Sequence, residues 1–302
     1  MAIGLRAALK MVRGAMARAA AAVIDRWPAL EPAFLRAGRA SARHRPLAIL
    51  YYETHAHLIA RLRTSGRRYR RMTFHGVALD ADITDHSARL LYFHDVPYEP
   101  EVTRTVVDAL GPGDTFIDVG ANAGFFAALA AIRVGPAGHV VAFEPHPGAR
   151  EVMRALIDRN GVSDRVTIVA AAAGNRVARA VPLHLSADSV LSTLVPDRSP
   201  LAADYAFDRS IEVQLTTIDT WMREAPALVP RIAAIKIDVE GFENAVVEGM
   251  TATIAGAPRA IVICETSPES DADRALRAAG FSAEALQTGA SGFGNYVYRR
   301  KG

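Results

Sequence analysis

Three short segments of this 302-residue chain gather residue types that can do chemistry. The first reads Phe116-Ile117-Asp118-Val119-Gly120-Ala121-Asn122-Ala123-Gly124, an apolar run that ends in a carboxylate and opens into a glycine-spaced turn. Gly120 and Gly124 let such a turn fold tightly and let a ligand approach without meeting a Cβ. A helix predicted from Phe125 would present its unpaired N–H groups to that ligand. The spacing is not that of a dinucleotide turn, because the second and third glycine positions after Gly120 hold Asn122 and Phe125. An aspartate ahead of the first glycine suits instead a ligand with a positive charge and an amino-acid end.

The second segment is Ala142-Phe143-Glu144-Pro145-His146. Glu144 follows Asp118 by 26 residues, one βαβ step, and a carboxylate at a second strand tip can accept hydrogen bonds from ribose hydroxyls. The third is Ile235-Lys236-Ile237-Asp238-Val239-Glu240-Gly241-Phe242-Glu243. Lys236 and Asp238 alternate to one face of an otherwise apolar strand. Charges there are costly unless paired or functional. A buried Lys236–carboxylate pair that orients the loop is the structural reading; Asp238 as a general base, with Glu240 or His146 behind it, is the functional one. Asp238, Glu240 and Glu265 could instead collect a hard cation such as Mg²⁺, although no rigid ligand spacing demands one.

These residues need strand ends and helix starts to hold them. The pattern predicts strands at 115–119, 139–143, 166–170, 235–239 and 260–265. Helices are predicted at 125–134, 147–160, 243–250 and 271–279. A short strand at 211–215, a helical piece at 216–222 and an antiparallel pair at 281–286 and 295–299 complete the set. Apolar strands alternating with helices mean a mostly parallel sheet. Ser189, Ser192 and Thr193 fall in a long connection that reads as a substrate-facing loop or a plain insertion. His94 reads as a residue over the pocket or an ordinary surface histidine, and Cys264 as a buried inert thiol.

The formal charge of +3 conceals a division. Residues 1–75 hold 15 Lys and Arg against Asp25, Glu31 and Glu53, a net of +12; the remainder holds 20 against 29, a net of −9. The chain is therefore expected to comprise a basic, mainly helical extension (1–75) and an α/β domain (76–302). Leu5, Leu9, Val12, Met16, Ala19, Ala20, Val23 and Trp27 recur at helical steps. That stripe reads as a face packed on the protein itself or as a basic amphipathic helix on an anionic membrane surface. The arginines crowded over residues 61–71 read as a solvated face or a phosphate-binding one, and no zinc finger or RNA-binding aromatic motif supports nucleic acid. One cysteine excludes a disulfide framework and a thiolate zinc site and points to the cytoplasm. No run reaches membrane-spanning length, and Arg6, Lys10, Arg13 and Arg18 interrupt any secretory leader.

Taken together, the segments resemble the FkbM-type S-adenosylmethionine-dependent methyltransferases. The matching pieces are FIDVGANAGFF, VVAFEPHP, LTTIDTW and IAAIKIDVEGFENAVVEGM, with Tyr98–Pro100 and GPGDTFIDVGAN upstream and Asn160 ending a helix. The resemblance spans residues 92–266 and leaves residues 1–75 outside it. It implies a class I methyltransferase, a Rossmann-like doubly wound sheet, mostly parallel, with an antiparallel C-terminal strand. It also implies methyl transfer to a hydroxyl of a glycan, glycolipid or secondary metabolite.

By motif, Asp118, Gly120, Ala121, Asn122 and Gly124 would line the methionine end of S-adenosylmethionine. Glu144 and Pro145 would lie at the ribose, Ala171 and Ala172 at the adenine, and Asp238 and Glu240 at the reacting methyl. Two competing readings are a non-catalytic scaffold for surface polysaccharide assembly and a nucleic-acid methyltransferase. The latter lacks the Asp/Asn-Pro-Pro-aromatic signature, since Asp238 is followed by Val239 and Glu240.

Overall fold

The alanine-rich start of the chain winds into a long helix, α1 (Ala2–Arg26), followed by α2 (Glu31–Ala40) and α3 (Arg45–Leu62). A hairpin of β1 (Tyr69–Phe74) and β2 (Val77–Asp82) and a helix, α4 (His86–His94), come next. The computed structural model describes residues 2–41, 44–84, 86–186, 192–196 and 207–301; Ser189 lies outside them. The chain divides into two compact units, 1–74 with 78–100 and 75–77 with 101–302. The charge switch near residue 75 and the packing division near residue 100 are thus different boundaries.

In the first unit α1 packs on α3, and its buried residues are Ala17, Ala21 and Ile24. The apolar stripe is not the side that packs on α3: Val12, Met16, Val23 and Trp27 are all exposed, against the first of its two readings. The side chains of Leu5 and Leu9 are outside the described set. The reason is size. Small alanines let α1 lie close to α3, whose Tyr51, Leu58 and Leu62 supply the bulk of that core. Fully burying Leu58 and Leu62 stabilises the unit by about 1.5–3 kcal/mol each.

The arginine run is largely paired. Arg13 grips Glu53 across the two helices at 2.7 Å, Arg61 and Arg67 share Asp25, and Arg70 holds the buried Glu31 in a two-pronged contact. His94 lies neither on an open surface nor alone. Its Nε2 is 3.1 Å from His55 Nε2, and burial lowers both imidazoles, that of His55 to about 4.

The second unit begins with α5 (Pro100–Ala109) and β3 (Thr115–Val119), then α6 (Phe125–Val134), β4 (His139–Phe143), α7 (Pro147–Arg159) and β5 (Val166–Val169). Four strands follow: β6 (Ala171–Ala173), β7 (Ala178–Ser186), β8 (Ser192–Thr193) and β9 (Phe207–Thr216). The chain closes with α8 (Ile218–Met222), β10 (Ile232–Ile237), α9 (Glu243–Glu248), α10 (Thr251–Gly256), β11 (Ile261–Thr266), α11 (Asp271–Ala278), β12 (Phe281–Thr288) and β13 (Gly294–Arg300).

Seven strands form the main sheet in the order β12-β13-β11-β10-β3-β4-β5. The five inner and far strands run parallel, while β13 is antiparallel to both β11 and β12. This is the doubly wound class I methyltransferase arrangement expected from the sequence. Every residue of β3 and β10 is buried, which is why both read as apolar runs. Ile117, Val119, Phe143, Ile235, Ile237 and Val262 belong to one continuous core.

Two details differ from the sequence expectation. The third strand stops at Val169, and Ala171–Ala173 moves into a second, four-stranded sheet of order β6-β9-β7-β8. The strand expected at 235–239 runs from Ile232 to Ile237, so Asp238 lies just past its end. There the backbone turns away, with Glu240 and Gly241 at φ +53° and +100°.

Candidate functional site

Strand order reverses between β3 and β10, and ligands of open α/β sheets sit beyond the carboxyl ends of strands at such a point. Asp118 and Lys236 are register partners on these two strands, so the sheet brings them side by side on one face. Beyond β3 the chain enters the glycine turn. Gly120 has φ +78°, and a Cβ there would overlap the Asp238 carbonyl oxygen. Gly124 has φ +86°, and a Cβ there would overlap the side chain of Met153 on α7. Asn122 between them also takes a left-handed φ, +49°. The turn is tied down: the N–H groups of Gly120 and Ala121 donate to the Phe143 carbonyl at 3.0 and 3.1 Å, and Gly124 N–H to the Ala121 carbonyl at 2.8 Å.

Glu144 clasps this turn from the tip of β4. Its Oε2 accepts the Asn122 N–H at 2.8 Å and its Oε1 the His146 N–H at 2.7 Å. The carboxyl is buried, which pushes its pKa up against the pull of the two amides and of Arg150. Each oxygen has a second lone pair with which to accept a hydroxyl.

Pro145 starts the turn into α7, which His146 caps by accepting the Ala149 N–H at Nδ1, 3.1 Å away. In the neutral ring that leaves the proton on Nε2, so His146 is set up here as a donor and a cap rather than as a base. Burial lowers its pKa.

Lys236 is sealed in the sheet, with 4% of its side chain exposed, and its Nζ lies 2.8 Å from Asp238 Oδ2 and 4.8 Å from the centre of the Phe126 ring. Asp238 keeps 23% of its side chain exposed and is the reachable member of the pair. The loop behind it is held by Glu243, whose Oε1 accepts the N–H groups of Val239 and Gly241 at 3.2 and 3.0 Å. From the second sheet, Thr193 donates its hydroxyl to the Glu240 carbonyl at 2.7 Å.

Ligating oxygens of Asp238, Glu240 and Glu265 lie within 4.8 Å of one another. Three carboxylates so close could hold a cation. Burial, then the charges of Asp238, Glu240 and Glu243, push Glu265 up to about 9. Burial raises Glu243 as well, and Cys264 is a fully buried thiol whose pKa burial raises far out of the reactive range.

The structure thus gathers Asp118, Gly120, Ala121, Asn122, Gly124, Glu144, Lys236, Asp238, Glu240 and Glu265 around the ends of β3, β4, β10 and β11. Ala171 and Ala172 are buried in β6, paired in parallel with Gln214 and Leu215 of β9, which leaves little beyond backbone to meet a ligand. Glu243 and Thr193 also serve the site. Glu243 opens α9 three residues after Glu240, and an acidic residue at a helix start is a capping signal. Thr193 carried no signal of its own, because its partner is a backbone atom 47 residues away.

Known proteins sharpen this picture. Residues 118–283, more than half of the chain, match the Methyltransferase FkbM domain. The hexuronic acid methyltransferase AglP of Haloferax volcanii is 29% identical over 159 residues, which cover 52% of this chain and 58% of that protein. The chain therefore spans less than two thirds of that relative. Among solved structures, methyltransferase FkbM of Methylobacillus flagellatus is 15% identical, with a TM-score of 0.42 over 92% of this chain and 60% of that one. An S-adenosylmethionine-dependent O-methyltransferase of Thermotoga maritima is 14% identical, with a TM-score of 0.38 over 74% and 73%. With its glycine turn, its strand-tip carboxylates and the domain match over them, the chain belongs to the FkbM methyltransferase family.

Proposed function

We propose that the chain is an S-adenosylmethionine-dependent O-methyltransferase whose acceptor is a hydroxyl of a glycan, glycolipid or secondary metabolite. The observation that carries this is the meeting, at one switch point, of a glycine turn packed too closely on Asp238 and Met153 to admit a Cβ and an accessible carboxylate just past the neighbouring strand. The residues fit the donor. Asp118, a buried carboxylate, suits its amino group, and Glu144 suits its ribose hydroxyls. A relative that acts on a hexuronic acid favours a sugar among the acceptors.

When bound, S-adenosylmethionine supplies a methyl group already activated by its sulfonium. The protein is left with alignment and a proton. Holding an acceptor oxygen in line can contribute about 7–11 kcal/mol in well-oriented systems. Asp238 takes the acceptor proton at its carboxylate, and Lys236 holds that carboxylate in place through Oδ2. Glu243 fixes the loop that carries Asp238 and Glu240. The cluster of Asp238, Glu240 and Glu265 could alternatively hold a Mg²⁺ that orients the hydroxyl.

Two measurements test the reading. Calorimetry of the pure chain with S-adenosylmethionine should give saturable binding, and labelled methyl should pass to one of a panel of sugar nucleotides, glycolipids and macrolides. No binding sinks the proposal. Binding with no transfer to any class moves the chain to a cofactor-holding scaffold.

Glu144→Ala should weaken S-adenosylmethionine affinity roughly 10- to 100-fold, the worth of a charged hydrogen bond to a hydroxyl. It should also lower thermal stability, because the Asn122 and His146 amides lose their acceptor. Unchanged affinity by titration would refute the ribose assignment.

A further inference from the structure

The first unit carries an apolar surface that its own fold does not use. Of the twelve large hydrophobic side chains that stand exposed among the described residues, nine fall between Met11 and Tyr69: Met11, Val12, Met16, Val23, Trp27, Leu30, Leu47, Tyr52 and Tyr69. A soluble chain scatters such residues over its whole surface. Here they concentrate in the same quarter that holds the net charge of +12.

On α1 the concentration becomes a face. Val12, Met16, Ala19, Val23 and Trp27 are all exposed and follow one another at steps of four, three, four and four residues. Steps of that size keep side chains on one side of a helix. Trp27 sits just past the end of α1, held there by its N–H, which donates to the Val23 carbonyl at 2.9 Å. The side that packs on α3 is a different one, marked by Ala17, Ala21 and Ile24. Exposure is large where it matters: 58% for Val12, 54% for Met16 and 57% for Trp27.

The pairing of charge in this unit is selective. Arg13, Arg61, Arg67 and Arg70 are taken up by carboxylates. Arg18, Arg26, Arg36, Arg45 and Arg63 form no ion pair among the described residues, and all five are exposed. Arg26 stands three residues after Val23 and so borders the apolar side directly. An apolar helix side ending in a tryptophan, bordered by the uncompensated Arg26 and carried by a quarter of the chain with a net charge of +12, complements one partner class well: the headgroup layer of an anionic bilayer. No helix among the described residues is long and apolar enough to cross a membrane, so the contact is with the surface.

We propose that the first unit docks on anionic lipid through the outward side of α1, with Met16 and Trp27 entering the interface, Arg26 meeting headgroup phosphates and the net charge of the unit drawing it to the surface. This does not depend on the identity of the methyl acceptor.

The test is flotation of the full chain with phosphatidylglycerol-containing vesicles and with phosphatidylcholine vesicles, at low and high salt. The wild type should float with the anionic vesicles and much less with the neutral ones, and salt should weaken the association. The double substitution Met16→Glu with Trp27→Glu should cut vesicle partition by about tenfold or more. Its S-adenosylmethionine titration and melting curve should match the wild type, which separates loss of the surface from loss of the fold. Sedimentation of wild type and variant without lipid asks whether a second copy covers the face. A wild-type dimer that the substitutions dissolve, with no flotation, overturns the proposal. So does equal flotation of the variant, or a wild type that stays with the soluble fraction.

Discussion

Asp238→Asn should reduce methyl-transfer turnover by roughly 10²–10⁴-fold, the usual worth of general-base assistance, while S-adenosylmethionine affinity stays within a few-fold. The substitution keeps shape and an acceptor oxygen for Lys236, so positioning of the loop survives and basicity alone is lost. Breaking a buried pair outright costs about 3–5 kcal/mol. The retained hydrogen bond and the Phe126 ring 4.8 Å from the ammonium should hold the loss well below that. Single-turnover kinetics on the identified acceptor, read beside a melting curve, checks both halves. Turnover at the wild-type level would remove Asp238 as the base.

The second large effect is in pH dependence. Glu265 carries a carboxyl whose pKa is raised to about 9 by burial and by Asp238, Glu240 and Glu243. A raised pKa means that the folded chain holds a proton that the unfolded chain releases at an ordinary carboxylate pH near 4.5. The stability contributed is therefore complete below that pH and is lost as pH rises toward 9. The slope cannot exceed about 1.4 kcal/mol per pH unit for one proton. Glu265→Gln mimics the protonated form at every pH. Unfolding free energies of the two proteins should run together in acid and diverge in favour of the variant as pH rises. Parallel curves from pH 5 to 9 would show that Glu265 titrates normally.

The sequence was most informative where geometry leaves few choices. The ends of β3, α6 and β4 match the expected ones residue for residue, because a strand buried on both faces reads as an unbroken apolar run and a glycine turn marks its end. The carboxylates of the site were legible for the same reason: Asp118, Glu144 and Asp238 interrupt or end apolar runs where packing would not put a charge.

The second sheet was legible only in the short strand at 211–215, which lies within β9. Its strand Ala178–Ser186 contains Pro182 and mixes charged with apolar positions, and its pairing with β9 is set by partners far along the chain. Of the two readings of the α1 stripe, the one that packs it on the protein fails for a physical reason. Periodicity marks apolar positions without ranking them by size, and close helix packing chose the alanines over the larger side chains. The arginine run looked like an open charged surface because its carboxylate partners, Asp25, Glu31, Asp80 and Asp82, are scattered over more than fifty residues.

The clasp of Glu144 on the Asn122 and His146 amides has a consequence for binding thermodynamics. A phosphate- or nucleoside-binding loop that orders only around its ligand spends part of the interaction on losing conformational entropy. In this chain that ordering belongs to folding, since the Phe143 carbonyl and one buried carboxylate already hold the glycine loop from Gly120 to Asn122 and tie it to the turn that starts α7. Ligand contacts then convert to affinity with little deduction, and association proceeds onto a surface that is formed in advance.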